Sequence, residues 1–259
     1  MHANRFVKNH GPSIEYDLPR LEVLAHICEQ VAGVTTARVL HADMPRQKVV
    51  YERLVLTEPM ESKIDDLEIM SRVGRLLADM HTAEFTVTPD FSAEPYPLES
   101  LGIDQHDAKM LTEALPPGWF HSDFWHGNVF VLDVGNIVVI DPLPAAFMFS
   151  RKHILASGAL DVAMMYMSLL LVHPLLKQFF LSAPPHMAAA EKFLMSYLEQ
   201  RDACSKQIVT SLRRVIRCLA EIWVSKLSAR LVWPICAAKR TLATKSILAM
   251  EKTEEWRKI

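Results

Sequence analysis

Four residues within one short stretch could do chemistry together: His121, Asp123, Asn128 and Asp141. Segment 121–128 reads His-Ser-Asp-Phe-Trp-His-Gly-Asn, and 129–142 continues Val-Phe-Val-Leu-Asp-Val-Gly-Asn-Ile-Val-Val-Ile-Asp-Pro. A carboxylate and an amide oxygen held side by side can share a divalent cation. A second carboxylate five residues upstream can orient a hydroxyl nucleophile. The pattern H-x-D-x-x-x-x-N with a later Asp suits phosphoryl transfer, because the transferred group spreads negative charge that a metal ion must neutralise. In that reading Asn128 and Asp141 hold Mg2+, Asp123 accepts or orients the substrate proton, and His121 braces the loop from behind. The plainer alternative is a surface hairpin with polar ends.

The elements that would position these residues follow from the intervening letters. Residues 129–132 form a short apolar run, as do 137–140, and Asp133, Val134, Gly135 and Asn136 between them carry turn chemistry, since Gly and Asn tolerate positive φ. Two strands of equal length put Asn128 and Asp141 at the same end of one hairpin. Asp123 then lies in the loop that leads into it.

This block resembles the aminoglycoside phosphotransferase and choline kinase-like superfamily, whose loop commonly reads H-G-D-x-x-x-G-N. The Phe-Trp pair and the Ile-Asp-Pro ending are most similar to fructosamine kinases and other small-metabolite members. Ser122 stands where that family often has Gly. Further matches are Ala159-Leu-Asp161-Val-Ala, similar to a helix start whose Asp supports the catalytic loop, and Gly74-Arg-Leu-Leu-Ala-Asp-Met-His81, similar to a helix end. The strand Arg5-Phe-Val-Lys8 resembles the one that carries a phosphate-binding Lys, and Glu22 resembles the helix Glu that pairs with it. Residues 52–54, with Glu52 and Leu54, resemble the hinge whose backbone bonds adenine. The resemblance covers about residues 5–165. It implies an α+β, protein-kinase-like two-lobed fold. It also implies ATP and Mg2+ as cofactors, and a small-molecule acceptor hydroxyl on a sugar, amino alcohol or aminoglycoside.

Composition sets bounds around that reading. The chain has 259 residues, 50% of them hydrophobic, enough for a substantial core. Its formal net charge of −2 gives no basic surface for nucleic acid or membrane. Cys28, Cys204, Cys218 and Cys236 are far apart and form no CxxC, so reduced buried thiols are expected rather than zinc ligands. The N-terminus lacks a signal-peptide pattern, and the longest apolar run, 162–172, is too short to span a bilayer. A cytoplasmic protein is expected.

Residues 1–57 read as a nucleotide-binding lobe and 58–259 as a helical catalytic and substrate lobe. A strand is expected over 49–56. Ser62 is a candidate cap for a helix to about Thr82, with Ile64, Leu67, Met70, Val73, Leu77 and Met80 on its apolar face. Residues 86–118 are rich in Pro and predict loop with at most one short helix. Helices are expected over 159–173, 187–201 and 205–250, with Pro174 and Pro234 as breaks. Arg213, Arg214 and Arg217 predict a solvated basic face.

Only seven residues precede Lys8, and the 8 Gly residues form no GxGxxG or Walker A pattern. The N-terminal lobe is therefore expected to be reduced, with the nucleotide site covered by a partner chain, an oligomer or an upstream extension. Two other functions compete with a small-molecule kinase. One is a kinase-fold pseudoenzyme or nucleotide-binding module without turnover. The other is a hydrolase using Ser122 and His126 near Asp123, although no G-x-S-x-G elbow surrounds Ser122.

Overall fold

The computed structural model describes residues 5–54, 58–132, 136–144, 149–171 and 186–228. The chain opens with β1 (Arg5–Asn9), then α1 (Ile14–Gln30), a short β2 (Val34–Thr35), β3 (Val39–Asp43) and β4 (Lys48–Glu52). β1, β4 and β3 make an antiparallel sheet in that order, with Lys8 opposite Val49 and Phe6 opposite Tyr51. The strand expected over 49–56 is thus confined to Lys48–Glu52, and 55–57 lie outside the described residues. α1 lays Ile14, Leu21, Val23, Leu24 and Ile27 inward. Glu22 faces solvent from the opposite side of the helix.

β5 (Glu58–Pro59) leads through a 3-10 turn at Met60–Lys63 into α2 (Leu67–Thr82). The cap of α2 is Asp66, whose side chain accepts the N–H groups of Glu68 and Ile69 at 3.0 and 3.2 Å. Ser62, the expected cap, instead donates to the Pro59 carbonyl at 2.8 Å within the 3-10 turn. Ile64, Met70, Val73, Leu77 and Met80 of the expected apolar face are buried, whereas Leu67 is exposed. The Pro-rich stretch after α2 holds a 3-10 turn at Leu98–Leu101 and one helix, α3 (Gln105–Ala114), capped by Asp104. β6 (Pro117–Trp119) then leads to the loop of interest.

The expected hairpin is present. β7 (Val129–Val131) pairs antiparallel with β8 (Ile137–Val139), Val129 opposite Val139. Bonds from Leu132 N–H to Asn136 O (2.8 Å) and from Ile140 N–H to Asn128 O (3.0 Å) extend the pairing by one residue at each end. The turn itself, 133–135, lies outside the described residues. β2 joins β8 in parallel and β5 joins β7, so the hairpin is central in a four-stranded sheet. β9 (Leu155–Ser157) pairs with β6.

α4 (Ala159–Leu171), α5 (Met187–Gln200) and α6 (Lys206–Ser228) follow. They begin where the sequence pattern places them. Pro174, Pro234 and the remainder of the expected 205–250 helix lie outside the described residues. The main core joins α1, α2, the hairpin and α4 to α6 in one cluster. Gly74 allows α2 and α5 to meet closely, since a Cβ there would collide with the Phe193 carbonyl. The basic cluster is only partly solvated: Arg214 reaches the buried carboxylate of Asp107 and also Asp104, tying α6 to α3. Among the described residues no helix is long and apolar enough to cross a membrane, and Cys28, Cys204 and Cys218 are unbridged.

Candidate active site

The loop 120–128 is held from below by one carboxylate. Asp161, fully buried in the first turn of α4, accepts the backbone N–H of His121 at 2.8 Å and of Ser122 at 3.0 Å. Its Oδ2 also receives His81 Nε2 at 3.2 Å, and His81 Nδ1 meets the Tyr197 hydroxyl at 2.8 Å. Burial holds the Tyr197 phenol well above its usual range, so the hydroxyl keeps its proton and donates to His81. The polar chain therefore runs from α5 through the end of α2 to α4 and the loop. Gly158 makes room for it, because a Cβ there would strike the Tyr197 hydroxyl and the His81 ring.

His121 ties the loop to the end of the hairpin. Its Nε2 donates to the Ile140 carbonyl at 3.0 Å and its Nδ1 accepts the Asp123 N–H at 3.3 Å, which fixes the neutral Nε2–H tautomer. Full burial pulls its pKa down to about 4, against the opposing field of Asp161. The ring thus fastens the Asp123 backbone to the strand that leads to Asp141.

Asp123 itself is half buried. Asn128 Nδ2 donates to its Oδ2 and to its backbone carbonyl, both at 2.9 Å. Burial is the largest influence on its pKa and pushes it up to about 7. The Asn128 bond opposes this, the charges of Asp141 and Asp161 add to it, and Lys8 opposes it. A carboxyl poised near neutrality suits proton transfer at ordinary pH. Asp141 follows the hairpin in the left-handed region at φ 54°, and Lys8 Nζ from β1 contacts its Oδ1 at 2.6 Å.

Lys8 and Asp141 both line a cavity of about 630 Å3 between the β1–β4–β3 sheet and the end of the hairpin. Tyr51, Glu52, Arg53, Leu54, Ala37 and Ile140 complete much of its wall. The structure therefore brings Lys8, Glu52 and Leu54 to one cavity, with Asp141 at its inner end. Glu22 is not part of it: it is exposed and forms no ion pair with Lys8, whose carboxylate partner is Asp141. The Glu52 N–H is given to the Arg38 carbonyl at 2.8 Å.

The donor set fits a hard divalent cation. With its Nδ2 spent on Asp123, Asn128 keeps its amide oxygen as a hard donor, and its backbone carbonyl bonds Ile140, the residue before Asp141. A lysine cation already rests on Asp141. Among the described residues no group of three His, Cys, Asp or Glu side chains could hold a metal. Mg2+ on a nucleotide needs no such cage, since it takes one or two protein oxygens and completes its shell with phosphate and water.

Ser122 and His126 do not form a nucleophile and base pair. Ser122 Oγ is buried and donates to the His121 carbonyl, while His126 N–H bonds Ser168 Oγ at 3.2 Å. His126 Nδ1 is buried without a partner among the described residues. The sequence reading missed Asp17 and Arg20 of α1. Asp17 is buried and accepts His10 at 3.0 Å, Ser13 at 2.8 Å and Arg151 at 2.9 Å. His10 in turn meets the Tyr51 hydroxyl at 2.6 Å, next to the cavity. The signal for both was their placement on the apolar face of α1 beside Leu21 and Leu24.

No family model matches the chain, and no curated protein does. Solved structures do. The chain superposes on a choline/ethanolamine kinase family protein from Mesorhizobium loti with a TM-score of 0.54 at 11% identity, covering 98% of this chain and 85% of that one. A choline kinase from Cryptosporidium parvum gives a TM-score of 0.57 at 13% identity, with 96% and 82% covered. A glucosamine kinase in complex with glucosamine, ADP and inorganic phosphate gives 0.57 at 17% identity, with 96% and 73% covered. The chain thus has the two-lobed kinase-like fold of the choline kinase and aminoglycoside phosphotransferase-like proteins.

Proposed function

We propose that this protein is an ATP-dependent phosphotransferase acting on a hydroxyl of a small molecule, such as a sugar, amino alcohol or aminoglycoside. The observation that carries the reading is the Lys8–Asp141 pair in the wall of one cavity, at the end of the hairpin whose entry residue Asn128 holds Asp123. Solved proteins of the same fold, named as choline, glucosamine and aminopropanol kinases, support it.

In this mechanism the cavity takes the nucleoside. The backbone groups of Arg53 and Leu54 face adenine, because the Glu52 N–H is already engaged. Lys8 moves from Asp141 to a phosphate oxygen. Asn128 Oδ1 and Asp141 would hold Mg2+, which would neutralise charge on the phosphates when bound. Asp123 Oδ1, the oxygen not held by Asn128, orients the acceptor hydroxyl and takes its proton as that oxygen bonds the γ-phosphorus and the bond from phosphorus to the bridging oxygen of ADP breaks, releasing ADP. His121 and Asp161 keep the Asp123 backbone fixed while this happens.

Calorimetry with ATP, with and without Mg2+, tests the site. Binding that needs Mg2+ is expected. Equal affinity in EDTA, or no binding in either case, would overturn the metal assignment. The Lys8–Asp141 ion pair favours one second reading, a nucleotide-binding module without turnover, because a lysine then closes the metal position. Nucleotide binding that does not depend on Mg2+, with no phosphorylation of any acceptor, would support that reading instead.

A further inference from the structure

Arg20 is fully buried on the inward face of α1, yet among the described residues it forms no ion pair. Its guanidinium instead bridges three backbone segments. Nη1 donates to the carbonyls of Phe120 and Pro142, each at 3.4 Å, and to Ser122 Oγ at 3.3 Å. Nη2 donates to the His153 carbonyl, and the group lies 5.5 Å from the centre of the Phe91 ring. Ser122 immediately precedes Asp123, and Phe120 lies three residues before it. Pro142 immediately follows Asp141.

Two backbone conformations lie beside these contacts. Ser122 at φ 69° and Asp141 at φ 54° are both left-handed, a region that residues with a Cβ enter at a cost. Both are stabilised only by what surrounds them. Desolvation lowers the Arg20 pKa to about 10, offset in part by the field of Asp161, so the side chain stays charged at neutral pH. A buried charge without an ion-pair partner is an unfavourable way to fill a core. A fork that reaches both loops at once accounts for it, since only a guanidinium offers several donors in one fixed plane.

We infer that Arg20 is a positioning residue: from α1 it clamps the Asp123 loop and the Asp141 turn into one geometry, and its bond to Ser122 Oγ stabilises a serine where the loop turns left-handed. The catalytic part of this inference rests on the phosphotransferase reading, while the clamp itself does not. None of the polar bonds of Arg20 goes to the side chains of Asp123, Asn128 or Asp141, so it acts through the backbone.

The test uses the full chain as wild type and as Arg20→Lys, Arg20→Met, Ser122→Gly and Arg20→Lys/Ser122→Gly. Amide hydrogen exchange is read at 120–123 and 141–143, with α5 as the internal reference. Arg20→Lys keeps the charge but loses the fork, so it stays informative if Arg20→Met fails to fold. It should raise exchange in both loop segments about tenfold or more while leaving α5 near wild type. With glucosamine or choline as acceptor probe, it should lower kcat by about 10- to 100-fold with KM for ATP within about threefold, because the loops are misplaced rather than removed. In the Ser122→Gly background, where the left-handed turn costs little, the same change should matter at least about threefold less. Exchange rising equally in α5, or an Arg20→Lys cost identical in both backgrounds, would overturn the clamp. If wild type phosphorylates neither probe, the phosphotransferase reading loses support, and the exchange data still decide the role of Arg20.

Discussion

The loop carrying Asp123 rests on the main core, whereas the strand carrying Lys8 rests on a cluster of four buried residues, Ile14, Leu21, Val49 and Tyr51. On the loop side buried groups tie the chain down: Asp161 takes two backbone amides, His121 ties two segments, and Asn128 ties a third. On the strand side β1 is exposed along most of its length, with Phe6 and Val7 each more than half accessible. The difference teaches where rigidity is needed. Under the proposed phosphotransferase function, proton transfer tolerates little error in the position of Asp123, while nucleotide binding can be completed by the ligand itself.

The sharpest way to break this contrast is Asp161→Ala. It removes a fully buried carboxylate and strands the amides of His121 and Ser122 together with the His81 ring. A loss of about 3–5 kcal/mol in unfolding free energy is expected, read by urea denaturation, with phosphoryl transfer abolished. A loss below about 1 kcal/mol would show that the loop does not depend on that carboxylate.

Asp123→Asn separates chemistry from architecture. It retains the size and a carbonyl-type acceptor for Asn128, so the fold and Mg2+-dependent ATP affinity should stay near wild type, while turnover falls by about 10² to 10⁴. The pH dependence follows from the raised carboxyl. A base must be ionised, so kcat/KM should climb as pH rises through about 7 and level off above it. Stability has the opposite sign. An acid whose folded pKa lies above its unfolded value of 3.8 favours the folded state at low pH, and that contribution is lost between about 4 and about 7. Asp123→Asn should flatten both curves, measured by initial rates and by thermal melts across that window.

The same contrast governs what could be read from the sequence. The hairpin, and the placement of residues 128 and 141 at its one end, were legible because strands of period two count residues faithfully, so a motif fixes geometry. The start of α2 was misplaced at Ser62 because both Ser62 and Asp66 can cap, and only the 3-10 turn before the helix decides between them. α1 was the least legible element. Its register sets Asp17, Arg20, Leu21 and Leu24 inward and Glu22 outward, and a helix carrying two buried ionisable groups hides its apolar stripe. Beyond His10 and Ser13, the partners of those groups lie 100 or more residues away, among them Phe120, Ser122, Pro142 and Arg151, and no local pattern announces these.

The smallest effects are expected on the strand side, and they sharpen the comparison most finely. Lys8 and Asp141 are each about one-third accessible, so their pair is partly screened and Lys8→Met should change stability by less than about 1 kcal/mol. Its effect should appear in binding instead. Removing a cation that competes for Asp141 frees the carboxylate for Mg2+, and removing a phosphate donor weakens ATP. Mg2+ affinity without nucleotide should therefore rise while Mg-ATP affinity falls, a reversal that calorimetry reads directly. Glu22→Gln should do neither, staying within about 0.5 kcal/mol in stability and unchanged in both affinities, because Glu22 lies exposed on the far face of α1. If Glu22→Gln weakened Mg-ATP binding as much as Lys8→Met, then nucleotide would draw α1 round until Glu22 met Lys8. The helix would have to turn Arg20 away from the Asp123 loop to do so, and the clamp and the Lys8–Glu22 pair would be alternative states of one element.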